Sequence, residues 1–248
     1  MRDLVYPPVI LGARGLFAAL GLRFSIEGAQ HLPRSGGAVL ASNHVSYLDF
    51  TFVGHGAREA GRLVRFMAKE SVFRHPVSGP LMRGMRHIPV DRAAGSAAFR
   101  GAMAALKAGE LVGVFPEATI SRSFELKEFK AGAARMAQAA GVPLVPTIVW
   151  GGQRIYTKGR PRDFRRRGRA ITVAFGEPLT PGRRDNSDEV TAELRRRMTA
   201  LLEKVRADYP DRPSGDDDRW WLPASMGGTA PTLAEATALD DAEAARST

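Results

Sequence analysis

The chain has 248 residues, 44% of them hydrophobic, which is enough for one α/β domain with a full core. It contains no cysteine, which excludes disulfides, thiolate metal sites and a cysteine acyl-enzyme. The net charge is +10; residues 211–248 hold eight acidic and three basic side chains, a net of −5, so residues 1–210 carry +15. This basic body predicts an anionic partner, namely nucleic acid, an anionic membrane surface or a phosphorylated substrate.

The first segment, residues 1–23, is apolar but interrupted by prolines, glycines and arginines. No run reaches the roughly 18–20 residues that a transmembrane helix requires. A signal peptide is not expected, because Arg14 falls inside the apolar stretch that such a peptide needs. From Val9 to Leu22 the pattern suits a helix lying in the membrane interface, with its arginines at the head groups. The alternative is an ordinary first helix packed on the core.

Residues 24–210 alternate between strand-like and helix-like patterns. Strands are predicted at 24–27, 38–42, 63–68, 86–90, 111–115, 144–150 and 171–175. Helices are predicted at 48–57, 96–108, 130–140 and 186–209, with a short helical region at 72–84 that two prolines break. This alternation predicts a single α/β domain with a largely parallel mixed sheet, covered by helices on both faces. In such sheets, ligands gather at the carboxyl ends of the strands.

Beyond Pro210 the chain becomes acidic and rich in small residues, which predicts a poorly ordered C-terminal tail over residues 211–248. Trp220 and Trp221 depart from that composition. They either dock on the domain or dip into a bilayer interface, and docking is the interpretation that we favour.

A histidine and a carboxylate stand five residues apart at a predicted strand-to-helix junction. His44 and Asp49 have the chemistry of a general base and its orienting partner. Positions five apart differ by about 140° around a helix, so the pair requires His44 to lie in the turn before the helix. The alternative is purely structural, because Ser46 and Asp49 also have the spacing of a helix-capping pair.

The stretch from His44 to Asp49 resembles the His-x4-Asp motif of the glycerolipid acyltransferases, the 1-acylglycerol-3-phosphate acyltransferase family. Three further blocks follow in that family's order, namely I-P-V-D-R at 88–92, F-P-E-A-T at 115–119 and V-P-L-V-P at 142–146. The resemblance covers roughly residues 22–179. It implies transfer of a fatty acyl group from acyl-CoA or acyl carrier protein to the free hydroxyl of a lysophospholipid. The simplest acceptor is 1-acylglycerol-3-phosphate, which gives phosphatidic acid.

On this resemblance, His44 is the general base and Asp49 orients it, with no acyl-enzyme and no cofactor besides the thioester co-substrate. Backbone N–H groups at the start of the following helix are expected to receive the oxyanion. Arg92 resembles the family's phosphate-contacting arginine. Lys130, at the first turn of a predicted helix, is a second candidate for phosphate binding, and Lys69 is a weaker one.

The block that begins at 115 departs from the family's usual F-P-E-G-T-R-S, in which the glutamate and the arginine help to hold the acceptor. Glu117 and Thr119 match and are candidates for positioning the acceptor, but Ala118 and Ile120 replace the glycine and the arginine. Arg122 is a candidate replacement for the missing guanidinium. Otherwise the acceptor is a different lysophospholipid or a glycolipid.

Basic side chains crowd residues 154–169, where Asp163 is the single acidic residue. They are Arg154, Lys158, Arg160, Arg162, Arg165, Arg166, Arg167 and Arg169. Anionic lipid head groups explain such a run, at roughly 1 kcal/mol per basic residue near a charged bilayer. Nucleic acid is the rival partner, but the run offers only Tyr156 and Phe164 for base stacking, so we expect none.

These observations predict a peripheral protein on the cytoplasmic face of the cell membrane. A catalytically silent lipid- or polyanion-binding protein is the alternative of a different class. The remaining histidines stand at no metal-ligand spacing, so we interpret them as structural and expect no metal. They are His31, His55, His75 and His87.

Overall fold

The computed structural model describes residues 4–91 and 95–246. The strands are β1 (Arg23–Glu27), β2 (Ala38–Ser42), β3 (Val64–Lys69), β4 (Ile88–Val90), β5 (Leu111–Val114), β6 (Leu144–Trp150) and β7 (Ala170–Phe175). The helices are α1 (Tyr6–Ala19), α2 (Asp49–Ala57), α3 (Glu70–Arg74), α4 (Ser78–Gly84), α5 (Gly95–Lys107), α6 (Gly132–Ala140), α7 (Ser187–Asp208) and α8 (Leu233–Arg246).

The seven strands form one sheet in the order β1-β7-β6-β2-β5-β3-β4. All neighbouring pairs are parallel except β6 and β7, which are antiparallel. The predicted largely parallel mixed sheet is therefore confirmed. β2 lies near the middle, between β5 and β6, and all five of its residues are buried. The loop that follows β2 therefore starts from the most rigid part of the sheet.

Alternating side chains of β2 enter two separate cores, as the pleat of a strand requires. Val39 and Ala41 pack with apolar residues of α5, α6 and α7. Ala38 and Leu40 pack with residues of α1 and α2, including Phe52. Helices thus cover both faces of the sheet, as the alternating pattern predicts.

Most element boundaries agree with the predicted ones to within two residues, and the differences have local causes. The helical region predicted at 72–84 forms two helices, α3 and α4, with Pro76 between them. β4 starts later than predicted because Arg86 has a φ of 57°, which an extended strand does not allow. α6 starts two residues after Lys130, whose N–H donates to the carbonyl of Pro116 at 3.0 Å.

α1 buries Tyr6 and Phe17 against the domain and leaves other apolar side chains in contact with solvent. Leu11 is 72% exposed and Leu16 is 43% exposed. Among residues 4–91 and 95–246, no helix combines the length and the apolar composition that crossing a membrane requires. The position of α1 in a membrane interface stays a prediction.

The acidic C-terminal segment packs on the domain, unlike the poorly ordered tail that its composition predicts. Trp221 is only 1% exposed, and the guanidinium of Arg154 lies 4.4 Å from the centre of its ring. The predicted docking of this tryptophan is confirmed. Asp211 accepts from Arg154, and Asp218 pairs with Arg166 at 3.1 Å. Composition misses this outcome because the acidic side chains find cations on the domain.

Candidate active site

The loop between β2 and α2 carries the candidate catalytic residues, and Asn43 attaches it to the sheet. The side-chain amide of Asn43 donates to the carbonyl of Val149 at 3.0 Å and accepts the N–H of Val149 at 2.7 Å. A side chain thereby continues the backbone pairing between β2 and β6 for one more residue. His44 follows at once, so its backbone is held at the carboxyl edge of the sheet.

His44 and Asp49 are in direct contact, as the motif predicts. Nδ1 of His44 lies 2.9 Å from Oδ2 of Asp49. The same oxygen accepts the N–H groups of Val45 at 2.7 Å and Ser46 at 2.8 Å. Asp49 is fully buried, whereas 20% of the His44 side chain is exposed. The carboxylate of Asp49 therefore combines the two roles that the spacing suggested. It accepts backbone N–H groups of the turn before α2, and it contacts the imidazole of His44.

The side chain of Asp49 is closely packed on the side that faces Gly152. Burial raises the pKa of Asp49, while the hydrogen bonds from His44, Ser46 and Val45 act in the opposite direction. Its Oδ1 is buried and has no hydrogen-bond partner in the described part of the chain. A Cβ added at Gly152 would lie 3.3 Å from this oxygen. A glycine is therefore needed beside the carboxylate.

Phe115 sets the plane of the imidazole. Its ring is stacked on His44 with centroids 4.0 Å apart and an interplanar angle of 19°. The ring of Phe66 is also stacked on that of Phe115, with the two centroids 6.3 Å apart. With Nδ1 held by Asp49, the orientation of the ring is defined and Nε2 is the nitrogen left for chemistry.

Glu117 holds the catalytic loop through its backbone. Its Oε1 accepts the N–H of His44 at 2.9 Å, and its Oε2 accepts the N–H of Lys127 at 3.0 Å. The pKa of Glu117 is raised to about 8, chiefly by burial and also by the nearby charge of Asp49. The N–H groups of Lys127 and His44 act in the opposite direction. The side chain serves as a structural link, because each of its two oxygens accepts a backbone N–H. The contact with the acceptor that the resemblance implies stays a prediction.

The N–H groups of residues 44–49 all donate to acceptors inside the protein, whereas the oxyanion role expected of N–H groups at the start of α2 stays a prediction. Their acceptors are Glu117 for His44, Asp49 for Val45 and Ser46, Tyr156 for Tyr47, and Ser46 for Leu48 and Asp49. A developing oxyanion would have to displace one of these bonds. The sequence could not reveal the acceptors from Glu117 and Tyr156, because folding brings both residues to the loop from distant positions.

The block after β5 places its residues in different environments. Ala118 adopts a left-handed conformation with a φ of 58°, which explains why glycine is common at this place in the family. Thr119 is half-buried, and its hydroxyl accepts from Nζ of Lys158 at 3.5 Å. Ile120 is only 5% exposed, so its side chain points into the protein. Arg122 is paired with two acidic residues of α8.

The other predicted phosphate contacts lie at the surface or outside the described residues. Lys69 ends β3 and is exposed. Lys130 precedes α6 and is also exposed. Arg92 lies outside the described residues, so its role stays a prediction.

The histidines outside the motif have structural contacts. His87 is buried, and its Nδ1 accepts the N–H of Phe66 at 3.0 Å. Nδ1 of His31 lies 2.8 Å from the carbonyl oxygen of Phe175. Within residues 4–91 and 95–246, no three metal-ligating side chains come together.

Sequence reasoning missed two residues at the site. Gly152 stands behind Asp49, and Lys127 joins Glu117 through its backbone. A paired glycine directly after a strand was a usable signal for Gly152, since strand carboxyl ends carry the site in this fold. Lys127 stands in no recognisable pattern.

Comparison with known proteins supports the same assignment. Residues 23–150 match the sequence profile of the family described as Acyltransferase. The chain is 30% identical over 199 residues to the 1-acyl-sn-glycerol-3-phosphate acyltransferase of Bacillus subtilis (strain 168), covering 78% of this chain and 90% of that protein. It is 32% identical over 178 residues to the 1-acyl-sn-glycerol-3-phosphate acyltransferase of Limnanthes douglasii, covering 70% and 58% respectively.

A solved structure shares the fold. The 1-acyl-sn-glycerophosphate (LPA) acyltransferase PlsC from Thermotoga maritima matches with a TM-score of 0.69 at 22% identity, over 83% of this chain and 81% of the other. The family profile covers more than half of the chain, and the Bacillus protein is matched over most of both lengths. The four ordered motifs and these matches agree: the chain belongs to the acyltransferase family.

Proposed function

We propose that this protein transfers a fatty acyl group from an acyl thioester, acyl-CoA or acyl carrier protein, to the free hydroxyl of a lysophospholipid. The first candidate acceptor is 1-acylglycerol-3-phosphate, the substrate in the names of its relatives. The observation that carries the proposal is the 2.9 Å contact between Nδ1 of His44 and Oδ2 of Asp49, in a loop held from both ends.

The proposed reaction needs no acyl-enzyme. Nε2 of His44 takes the proton of the acceptor hydroxyl as its oxygen attacks the thioester carbonyl carbon, and Asp49 stabilises the imidazolium. The tetrahedral intermediate then collapses, the carbon–sulfur bond breaks, and the leaving thiolate takes the proton from Nε2. The products are the new ester and a free thiol, and His44 returns to its starting form.

A cavity of about 70 Å³ lies near the site, which is room for only a few methylene groups of the acyl chain. Its walls come from α1, α2 and β3 and include Ile10, Phe17, Phe50 and Phe66. Phe66 stacks on Phe115, which in turn stacks on the catalytic imidazole. The cavity is therefore a candidate for one part of the acyl chain, with Phe66 and Phe115 between it and His44.

The exposed apolar side chains of α1, α3 and α4 support peripheral attachment to a membrane. α1 contacts α3 and α4 through a shared apolar cluster, so the outer surfaces of these helices are neighbours. The exposed apolar residues of these helices, and of the turn between α3 and α4, are Leu11, Leu16, Val72, Val77 and Leu81. We propose that this surface enters the interface on the cytoplasmic side, where acyl thioesters are found.

The acceptor is the open part of the proposal. Ile120 occupies the place of the family's arginine, and its buried apolar side chain cannot contact a phosphate group. An acceptor other than 1-acylglycerol-3-phosphate is therefore the second candidate, with the same chemistry at His44.

The test is thiol release from palmitoyl-CoA by the purified full chain, with a panel of lysophospholipids. His44→Ala is compared with His75→Ala, which removes an exposed histidine far from the motif in sequence. Release that depends on lysophosphatidate and disappears only in His44→Ala supports the proposal. Release with a different acceptor moves the function to that lipid. No release from folded protein, with palmitoyl-CoA or with an acyl carrier protein donor, overturns it in favour of a binding protein.

A further inference from the structure

Three cations converge on a single carboxylate beside the catalytic loop. Nζ of Lys127 lies 2.6 Å from Oδ2 of Asp240, a residue of α8. Nζ of Lys158 and Nε of Arg122 lie 2.7 Å and 3.1 Å from its Oδ1. Glu243, one turn further along α8, pairs with Arg122 at 2.7 Å and with Lys158 at 2.9 Å. We call Arg122, Lys127 and Lys158 the cation cluster.

The cation cluster is fixed to the catalytic loop at three places. The residue before Arg122 donates its N–H to the carbonyl of His44 at 2.7 Å. The residue before Lys158 donates its hydroxyl to the carbonyl of Val45 at 2.7 Å. The N–H of Lys127 donates to Glu117, whose other oxygen holds the N–H of His44. A ligand held by the cluster is therefore positioned with respect to the catalytic histidine.

The position of Arg122 also depends on a neighbouring glycine. Gly159 has a φ of 77°, and a Cβ added there would collide with Nη1 of Arg122. The guanidinium thus lies against bare backbone, where a side chain would displace it. This packing favours a defined position for Arg122 over a freely moving surface side chain.

The cation cluster is mostly buried and carries one more charge than its carboxylate partners. Between 15% and 16% of each of its three side chains is exposed. Burial acts to raise the pKa of Asp240, but hydrogen bonds from Lys127, Lys158 and Arg122 outweigh it and lower that pKa. Cations withdrawn from water need anionic partners. A phosphate monoester offers three oxygens and about two negative charges, which matches three converging donors.

α8 is held on the cation cluster mainly by charge. Ala236 is its only buried residue within the described chain, and Asp240 follows it one turn later. Leu233 and Leu239 are 39% and 45% exposed, so the helix buries little apolar surface. The segment before it, residues 227–231, consists of small residues and a proline. Ion pairs withdrawn from water are costly to break unless another anion takes the place of the carboxylates, so we expect α8 to leave only when a competing anion binds.

We propose that the cation cluster is a phosphate-binding site, and that α8 occupies it through Asp240 and Glu243 until a phosphate group displaces the helix. The phosphate comes either from the lysophospholipid acceptor or from a phospholipid of the bilayer. In its acceptor form the inference rests on the proposed function. The acidic helix then competes with the acceptor and keeps the site closed in its absence.

Kinetics with the full chain test the acceptor arm. The double variant Asp240→Asn/Glu243→Gln keeps α8 but removes the two carboxylates that contact the cation cluster. The KM for lysophosphatidate should therefore fall about tenfold with little change in kcat. Arg122→Gln should raise that KM by a similar factor. Asp241→Asn is the matched control, since it removes a charge from the exposed neighbouring position of the same helix. An unchanged KM in the double variant would overturn the acceptor arm.

Release of α8 is measured without any catalytic readout. Because the chain has no cysteine, Ala238→Cys puts a single nitroxide label on an exposed position of α8. The label should become more mobile with lysophosphatidate or glycerol 3-phosphate at constant ionic strength, and not with chloride. Mobility that rises only with vesicles that contain phosphatidic acid, a phosphate monoester, assigns the site to the bilayer. A label that responds to none of these probes would overturn the proposal.

The two measurements separate this inference from the proposed function. A label that responds to phosphate in a protein without acyl transfer supports the cation cluster and removes the proposed enzyme activity. Acyl transfer with an immobile label and an unchanged KM keeps the activity and removes the phosphate site.

Discussion

The side chain of Glu117 and the backbone of His44 are joined by a 2.9 Å hydrogen bond, although the two residues are 73 positions apart in the sequence. The second oxygen of Glu117 holds the N–H of Lys127, so one buried carboxyl group links the catalytic loop to the segment that carries the cation cluster. Replacing it should therefore affect the catalytic histidine and the anion site together.

Glu117→Gln should lower both stability and activity. Glutamine has one accepting oxygen, so its amide group would face an N–H that had been bonded, at a cost of about 1–3 kcal/mol. We expect this loss in the free energy of unfolding measured with urea, together with a lower kcat. Glu128→Gln, the same change on an exposed side chain of the same segment, is the control. Equal stability of the two variants would contradict the structural role of Glu117.

Ala118→Gly should stabilise the protein. Ala118 has a φ of 58°, and the left-handed region costs an L-residue roughly 1–2 kcal/mol, partly offset by the greater freedom of glycine when unfolded. We expect a net gain of up to about 1 kcal/mol in the free energy of unfolding. Gly141→Ala is the reverse experiment, because Gly141 has a φ of 65° and open space around it. Gly141→Ala should lower the free energy of unfolding. If both variants changed this free energy in the same direction, the left-handed backbone would not be the cause.

Gly152→Ala should impair catalysis through Asp49. The added Cβ would lie 3.0 Å from Phe52 and from Ser46, and 3.3 Å from the unpaired oxygen of Asp49. A small displacement of the carboxylate tilts the imidazole, so kcat should fall by about 10- to 100-fold with little change in the acceptor KM.

The control for this change is Gly132→Ala. Gly132 begins α6 and has nothing within 4 Å of an added Cβ, so this variant should keep full activity. An equal loss of kcat in both variants would mean that the effect does not come from contact with Asp49.

His87 should make the protein less stable in acid. Burial, together with Arg65, lowers the pKa of His87 from 6.5 to about 4. Above pH 6.5 the histidine is neutral in both states and its contribution is complete. As the pH falls from 6.5 to 4, the unfolded chain takes up a proton that the folded protein resists, which costs about 3 kcal/mol.

Urea unfolding between pH 7 and pH 4 measures this slope. His87→Asn keeps an acceptor for the N–H of Phe66 and removes the titration, so its slope should be shallower by that amount. The exposed His75→Asn should leave the slope unchanged. A wild-type slope in His87→Asn would assign the acid sensitivity to other groups.

Most of the fold could be predicted because its signals are local. β2 and β6 coincide with mostly apolar runs of the sequence, and the predicted first and last residues of both strands are the observed ones. The His44–Asp49 pair could also be predicted, since a spacing of five residues across a strand-to-helix turn leaves the chain few ways to arrange it. Phosphate binding was suggested by the family resemblance for Arg92 and by position at a helix start for Lys130, and both stay predictions.

The tertiary structure decided how the site is supported and what lies on its cations. The sequence by itself determined the sheet, the contact between His44 and Asp49, and the excess of positive charge on the body of the chain. It could not pair Lys127 with Asp240, which are 113 positions apart, or place Gly152 behind Asp49. Such contacts depend on where separate elements meet after folding, and composition shows an acidic end without showing which cations it meets.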